Sequence, residues 1–301
     1  MRRRTWIVAV LLVLGAVLLA RFGLAFPWAA TVDALGDADP LLLAGAGVLN
    51  IVSLGAKGGV WYLLLRRMAP LKHATAQSAT FVGAAVNSIS VAVSGEAARA
   101  QMVHDRDAIP YSVAISSLVA TRIVEAVGLI VFLVLALAVV QPWPGARLHA
   151  LILAGVAAIV GLGYHLVPAK RWHPVIAGLA PATGGWWAAP VALAAVNWVA
   201  QWLTYHWSIV GTHAAGTPAV SLAALVAANV AGIPRLTPGN IGVMQGSIML
   251  GMRAFGVSPA QGLAAGLALQ AVQVLPILAI AVGIVGARGL RQLASRRART
   301  A

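Results

Sequence analysis

The sequence predicts an all-α polytopic membrane protein of about eight membrane segments, arranged as two inverted-topology repeats that each carry a broken or re-entrant helical hairpin. Three observations lead there. Of the 301 residues, 60% are hydrophobic and 9% charged, where soluble domains carry roughly 25% charge; the mean hydropathy is +0.89. Apolar stretches of the roughly 20 residues that a spanning helix needs fill the chain almost end to end, which leaves no segment for a soluble catalytic domain. Two polar regions interrupted by glycine, proline and serine stand at matching places in the two halves.

The first span is read over 6–26. Residues 2–20 have the basic start and apolar core of a secretory signal, but no cleavage site precedes Arg21, so the segment is expected to be a retained helix. Further clear spans follow at 41–65, 111–140, 148–167, 187–210 and 260–287, and the two interrupted regions are 75–97 and 219–255. The chain accordingly divides into an N-terminal membrane helix and outer loop (1–40), a first membrane repeat (41–140), a linking helix with its loops (141–186), a second membrane repeat (187–287) and a basic cytoplasmic tail (288–301).

Charge fixes the expected orientation. The formal net charge is +14, but the basic residues fall in short loops between spans and in the tail, which is the positive-inside signal and not a nucleic-acid surface. If the interrupted regions enter and leave by one face, fifteen of the 21 lysines and arginines share one side. Only Arg21, Arg147 and Arg253 then lie opposite, with Asp33, Asp37 and Asp39. A bacterial inner (cytoplasmic) membrane with both termini cytoplasmic follows. The absence of cysteine excludes disulfides, iron–sulfur clusters and thiolate zinc sites, and the seven histidines lack metal-ligand spacing. Neither metal nor cofactor is expected.

The repeat rests on spacing. The stretches beginning at Glu96 and Gln245 reach Pro110 and Pro259 after the same interval, an offset of 149 (245 − 96, 259 − 110). Moving 41–65 by that offset gives 190–214, and moving 111–140 gives 260–289, close to the later spans but entered from the opposite face. Broken segments at corresponding places in two such halves point to a central site, because non-helical backbone at membrane depth must be satisfied by protein or a water-filled cavity.

Two constellations could carry function. The chain's two glutamates are Glu96, in Ser94-Gly95-Glu96 with Arg99 close behind, and Glu125, in Arg122-Ile-Val-Glu125. Arg122 and Glu125 stand three apart and share a helix face. Ionisable groups within spans are costly and usually face an interior pathway, so Glu96, Arg99, Arg122 and Glu125 form the first candidate site. The plainer reading makes Arg122 and Glu125 a structural pair and Arg99 a surface charge. The second constellation runs from Gly232 through Pro234, Arg235, Thr237, Pro238, Gly239 and Asn240 to Gln245. Its prolines end helices and its glycines allow tight backbone. A half-helix starting near Asn240 would aim its positive end, with Arg235, at an anion such as a lipid phosphate. The plainer reading is a loop whose arginine snorkels to a head group. Lys57 is also read as snorkelling, and the tryptophans as interfacial belts.

At these constellations the sequence resembles the family of lysylphosphatidylglycerol synthase transmembrane domains, flippase-like integral membrane proteins that include stand-alone members. The residues that carry the likeness are Ser94-Gly95-Glu96 with Arg99, Arg122-Ile-Val-Glu125, Pro234, Thr237-Pro-Gly-Asn-Ile-Gly242 with Gln245, and Gly256-Val-Ser, spread over roughly 40–287. Relatives often carry glutamate at the position of Gln245 and aspartate at that of Glu125, and the soluble aminoacyl-transferring domain of the full synthases has no counterpart here. The resemblance implies translocation of an anionic or polyprenyl-type lipid between leaflets. The other readings are a non-catalytic membrane partner of a lipid-modifying enzyme or glycosyltransferase, and a small-solute transporter. In each the protein is no enzyme; the expected ligand is the anionic head group of a membrane lipid.

Overall fold

The computed structural model describes residues 26–90, 94–139, 188–232 and 237–300, with 135–139 and 288–300 as backbone only. The spans expected at 6–26 and 148–167, the linking region 141–186 and Arg235 lie outside the described residues. Those described form nine helices and no strand: α1 Trp28–Gly36, α2 Pro40–Arg66, α3 His73–Ile89, α4 Ser94–Asp107, α5 Tyr111–Val139, α6 Ala188–Gly211, α7 Pro218–Ala231, α8 Val243–Arg253 and α9 Pro259–Thr300. A short 3₁₀ turn, Pro238–Asn240, precedes α8.

Local chemistry sets where these helices begin. Asp39 accepts hydrogen bonds from the backbone N–H groups of Leu41 (2.8 Å) and Leu42 (3.2 Å), and Pro40 takes the first helical position, where a missing N–H costs nothing. Thr217 and Pro218 start α7 in the same way. Removing the first cap by Asp39→Ala is expected to lower stability by about 1 kcal/mol, read as a fall in the thermal midpoint in detergent; an unchanged midpoint would show that water caps α2 equally well.

Among the described residues three helical stretches are long and apolar enough to cross a membrane: Pro40–Arg66, Tyr111–Val134 and Pro259–Ala287. The sequence predicted α6 as a clear span too. It has the length, 24 residues, but Asn197, Gln201, Thr204 and His206 hold it below the apolarity of the other three. Helix α9 runs on to Thr300, so the basic tail expected from 288 continues the helix instead of leaving it.

At the centre α2 lies along α6. Ser53 donates to Asn197 Oδ1 at 2.8 Å, and the Trp207 ring covers Gly45, where a Cβ would stand 2.4 Å from it. Helices α5 and α9 each pack on both members of this pair. Helices α3 and α4 form one hairpin, α7 and α8 another, in the places where the sequence showed its two interruptions. Each half buries its own core, Trp61, Leu65, Val103 and Ile109 in the first, Tyr205, Ile209, Leu225, Met252 and Leu269 in the second. Val127, Val131, Leu275, Val282 and Val285 face outward and exposed, as hydrocarbon solvent permits and water does not. Helices α3 and α7 start 145 residues apart (218 − 73), and α5 and α9 start 148 apart (259 − 111).

Candidate functional site: a charge cluster beside two chain breaks

Glycines let the first hairpin close. A Cβ on Gly95 would stand 2.2 Å from the Gly83 carbonyl oxygen, so α3 and α4 touch backbone to backbone. That approach brings Asn87 over the start of α4. Its Oδ1 accepts from the Gly95 N–H at 2.8 Å, and its Nδ2 donates to Glu96 Oε2 at 3.3 Å. Glu96 thus enters the site held from α3.

From α5, Arg122 reaches both glutamates. Its Nη2 pairs with Glu96 Oε1, and its Nη1 lies 3.1 Å from Glu125 Oε2. Glu125 Oε2 also receives Lys57 Nζ from α2 at 3.1 Å. The reading of Lys57 as a snorkelling residue is therefore corrected: a carboxylate inside the bundle holds it, because a paired ammonium in a low-dielectric interior is cheaper than one stretched along hydrocarbon. Helix α6 closes the fourth side, where Trp198 Nε1 donates to the Glu125 backbone carbonyl at 3.2 Å. Burial is graded across the cluster: the Glu125 side chain is 12% exposed and that of Arg122 44%, so the network opens on the arginine's side.

Arg99 does not lie on the surface. It is 5% exposed, with its guanidinium 4.1 Å from the Trp61 ring centre, and Trp61 is fixed by a hydrogen bond from Nε1 to Ser117 Oγ at 2.9 Å. The sequence did not single out Lys57, Asn87 or Trp61 as site residues. A lone charge well inside an apolar span was the available signal for Lys57.

The second constellation forms the opposite break. Gly239, Asn240 and Gly242 have positive φ, +58, +55 and +83°, and Thr237 Oγ1 donates to the Ile241 carbonyl at 2.8 Å. Pro238 opens the 3₁₀ turn. Helix α8 starts at Val243, and its leading N–H, that of Gly242, is taken by Gln245 Oε1 at 2.7 Å. Gln245 Nε2 donates to Gln270 Oε1 at 2.6 Å, and Gln270 Nε2 donates to the Gly239 carbonyl at 3.1 Å. Gln270, a polar residue in the most apolar of the spans, was also missed.

These two breaks meet. The Gly239 N–H donates to the Ser90 carbonyl at 3.3 Å, and a Cβ on Gly239 would stand 2.4 Å from the Ser88 carbonyl oxygen; only glycine fits both the space and the backbone angle. A polar line therefore runs from Arg122 through Glu96 and Asn87 to the tip of α3, then across to Gly239, Gln270 and Gln245. Gly239 and Gln245 reach the first constellation through this line, while Thr237 bonds within its own turn and Asn240 Nδ2 donates to the Gly232 carbonyl at 3.4 Å. Chemically the cluster offers paired charges in an apolar surround, suited to holding a charged group of a ligand.

The family model described as Lysylphosphatidylglycerol synthase TM region matches residues 6–281. Among curated proteins, glycosyltransferase AglD of Haloferax volcanii is 35% identical over 124 residues, 41% of this chain and 20% of that protein. The matched stretch thus spans a fifth of that relative's length. No solved structure matches. The family match, with the three spans, makes the chain a multi-pass membrane protein with a lipid-related setting.

Proposed function

This chain belongs to the lysylphosphatidylglycerol synthase TM-region family, and from that membership we propose that it is a flippase-like carrier, moving an anionic or polyprenyl-type lipid head group between leaflets. One observation carries the reading: Lys57, Glu96, Arg122 and Glu125 form a single ion network, with Lys57, Arg122 and Glu125 on helices apolar enough to cross a membrane and Glu96 on the short polar α4 packed beside them. Taking a charge through hydrocarbon costs several kcal/mol or more. A groove lined with paired charges lowers that barrier while the lipid tails stay in the bilayer.

The two chain breaks would form the inner wall of the groove, with the chain as about eight segments in two inverted repeats. The similar offsets of the α3/α7 and α5/α9 starts, 145 and 148 (218 − 73, 259 − 111), support that arrangement, and so does the contact of Ser90 with Gly239, 149 apart (239 − 90). The lysine and arginine distribution supports an inner membrane with both termini cytoplasmic. No step of this mechanism breaks a covalent bond; the protein acts as a carrier.

The test is head-group accessibility of a labelled anionic lipid in proteoliposomes, for the natural protein and for Glu96→Gln and Arg122→Ala. Transbilayer exchange is expected to rise well above that of empty vesicles and to return to their rate in both variants. Exchange equal to that of empty vesicles with several anionic lipids would sink the carrier reading. It would favour the second one, a membrane partner of a lipid-modifying enzyme, which the likeness of 124 residues to part of a glycosyltransferase supports.

A further inference from the structure

Among the described residues the cluster's charges do not balance. Glu125 Oε2 is taken by Lys57 and Arg122, Glu96 Oε1 by Arg122 and Glu96 Oε2 by Asn87. Arg99 is the third cation at this place, and among the described residues no carboxylate lies within 4.0 Å of it. Its Nε and Nη2 are buried with no hydrogen-bond partner. Glu125 Oε1 is buried and idle as well, without touching Arg99. The molecule makes room for this side chain: a Cβ on Gly83 would stand 2.4 Å from Arg99 Cγ, and the Trp61 face is the plate on which the guanidinium lies.

Burying a charged fork with idle donors disfavours folding. Buried polar groups in native proteins nearly always have partners, and one that lacks them calls for an occupant. Nε and Nη2 are the edge by which arginine takes two oxygens of one oxyanion. Among the described residues, three cations against two carboxylates leave one unit of positive charge. A phosphodiester has two free oxygens and one negative charge; a phosphomonoester or diphosphate brings more charge than the cluster can match.

We propose that Arg99, seated on Trp61, is the phosphate-binding residue of the groove, that Arg122 is a positioning residue holding the two glutamates, and that the head group taken is a singly charged phosphodiester. This rests on the reading of the groove as a head-group site and narrows it.

The test uses the full chain in phosphatidylcholine nanodiscs, titrated with labelled phosphatidylglycerol or phosphatidic acid, with affinity and thermal midpoint read for the natural protein, Arg99→Gln and Arg99→Lys. Arg99→Gln is expected to lose roughly 10- to 100-fold in phosphatidylglycerol affinity while its midpoint holds or rises, since an uncompensated buried charge is gone. Arg99→Lys, which keeps the charge without the planar fork, should fall between. A merely structural arginine would lower the midpoint when removed, and that outcome overturns the proposal. So do unchanged affinity in Arg99→Gln, tighter binding of phosphatidic acid than of phosphatidylglycerol, or no saturable phosphatidylglycerol binding by the natural protein. Binding lost in Arg99→Gln with no lipid exchange by any form keeps this site and removes the carrier function; exchange with Arg99-independent binding does the reverse.

Discussion

Replacing Glu125 by alanine is expected to destabilise the protein by on the order of 3 kcal/mol and to abolish lipid exchange. Glu125 Oε2 is the shared acceptor of Lys57 and Arg122. Without it Arg122 keeps Glu96, but the Lys57 ammonium is left without its carboxylate inside the bundle. Removing one partner of a buried pair is far worse than removing both, because the remaining charge loses its compensation. The double replacement Lys57→Met with Glu125→Leu should therefore regain most of the stability lost by Glu125→Ala while staying inactive in exchange. Equilibrium unfolding in detergent reads the first effect and proteoliposome exchange the second. A Glu125→Ala protein that unfolds like the natural one would mean that water, and not Glu125, compensates Lys57.

Gly95→Ala is expected to act through shape alone. The added methyl would meet the Gly83 carbonyl oxygen at 2.2 Å and Asn87 Cγ at 2.3 Å. A carbonyl within a helix cannot swing aside, so α3 and α4 must part. Overpacking of this kind costs about 1–3 kcal/mol, occasionally more. Separation also removes Asn87 from the Gly95 N–H and from Glu96 Oε2, so exchange should fall as far as in Glu96→Gln although no charge has changed. Gly283→Ala is the control: its added methyl meets open space, and within a helix it should be neutral or stabilise by up to about 1 kcal/mol. Equal thermal midpoints for Gly95→Ala and Gly283→Ala would remove the close approach from the account of the site.

How much of this was legible in the sequence depends on the range of each interaction. The limits of α2 came out within a residue, 41–65 against Pro40–Arg66, because the signals are local: Asp39 and Pro40 at one end, Arg66 and Arg67 at the other. The two hairpins were visible as losses of apolar continuity. Arg122 with Glu125 was readable from helical spacing, and Glu96 drew notice as one of two glutamates. Lys57 was misread because its partner stands 68 residues away (125 − 57), and nothing near Lys57 announces it. The burial of Arg99 was hidden for a similar reason: its position beside a break suggests solvent, and only the packing of Trp61 from another helix decides otherwise. Gln270 could not be linked to Gly239 without knowing the turn at 238–240 that precedes the helix starting at Val243, close to where the sequence placed it. Spacing along the chain reveals pairs within one helix, whereas pairs between helices await the fold.

The hydrogen bond from Gly239 to Ser90 sets a clock on assembly. Ser90 leaves the ribosome 149 residues before Gly239 (239 − 90), an interval on the order of ten seconds at ordinary rates of translation. During that time the first hairpin is inserted with its tip unfinished, its carbonyl lacking the native donor in surroundings that penalise an unmet polar group. The first half is thus a waiting half, and the second completes the first's backbone as well as its own.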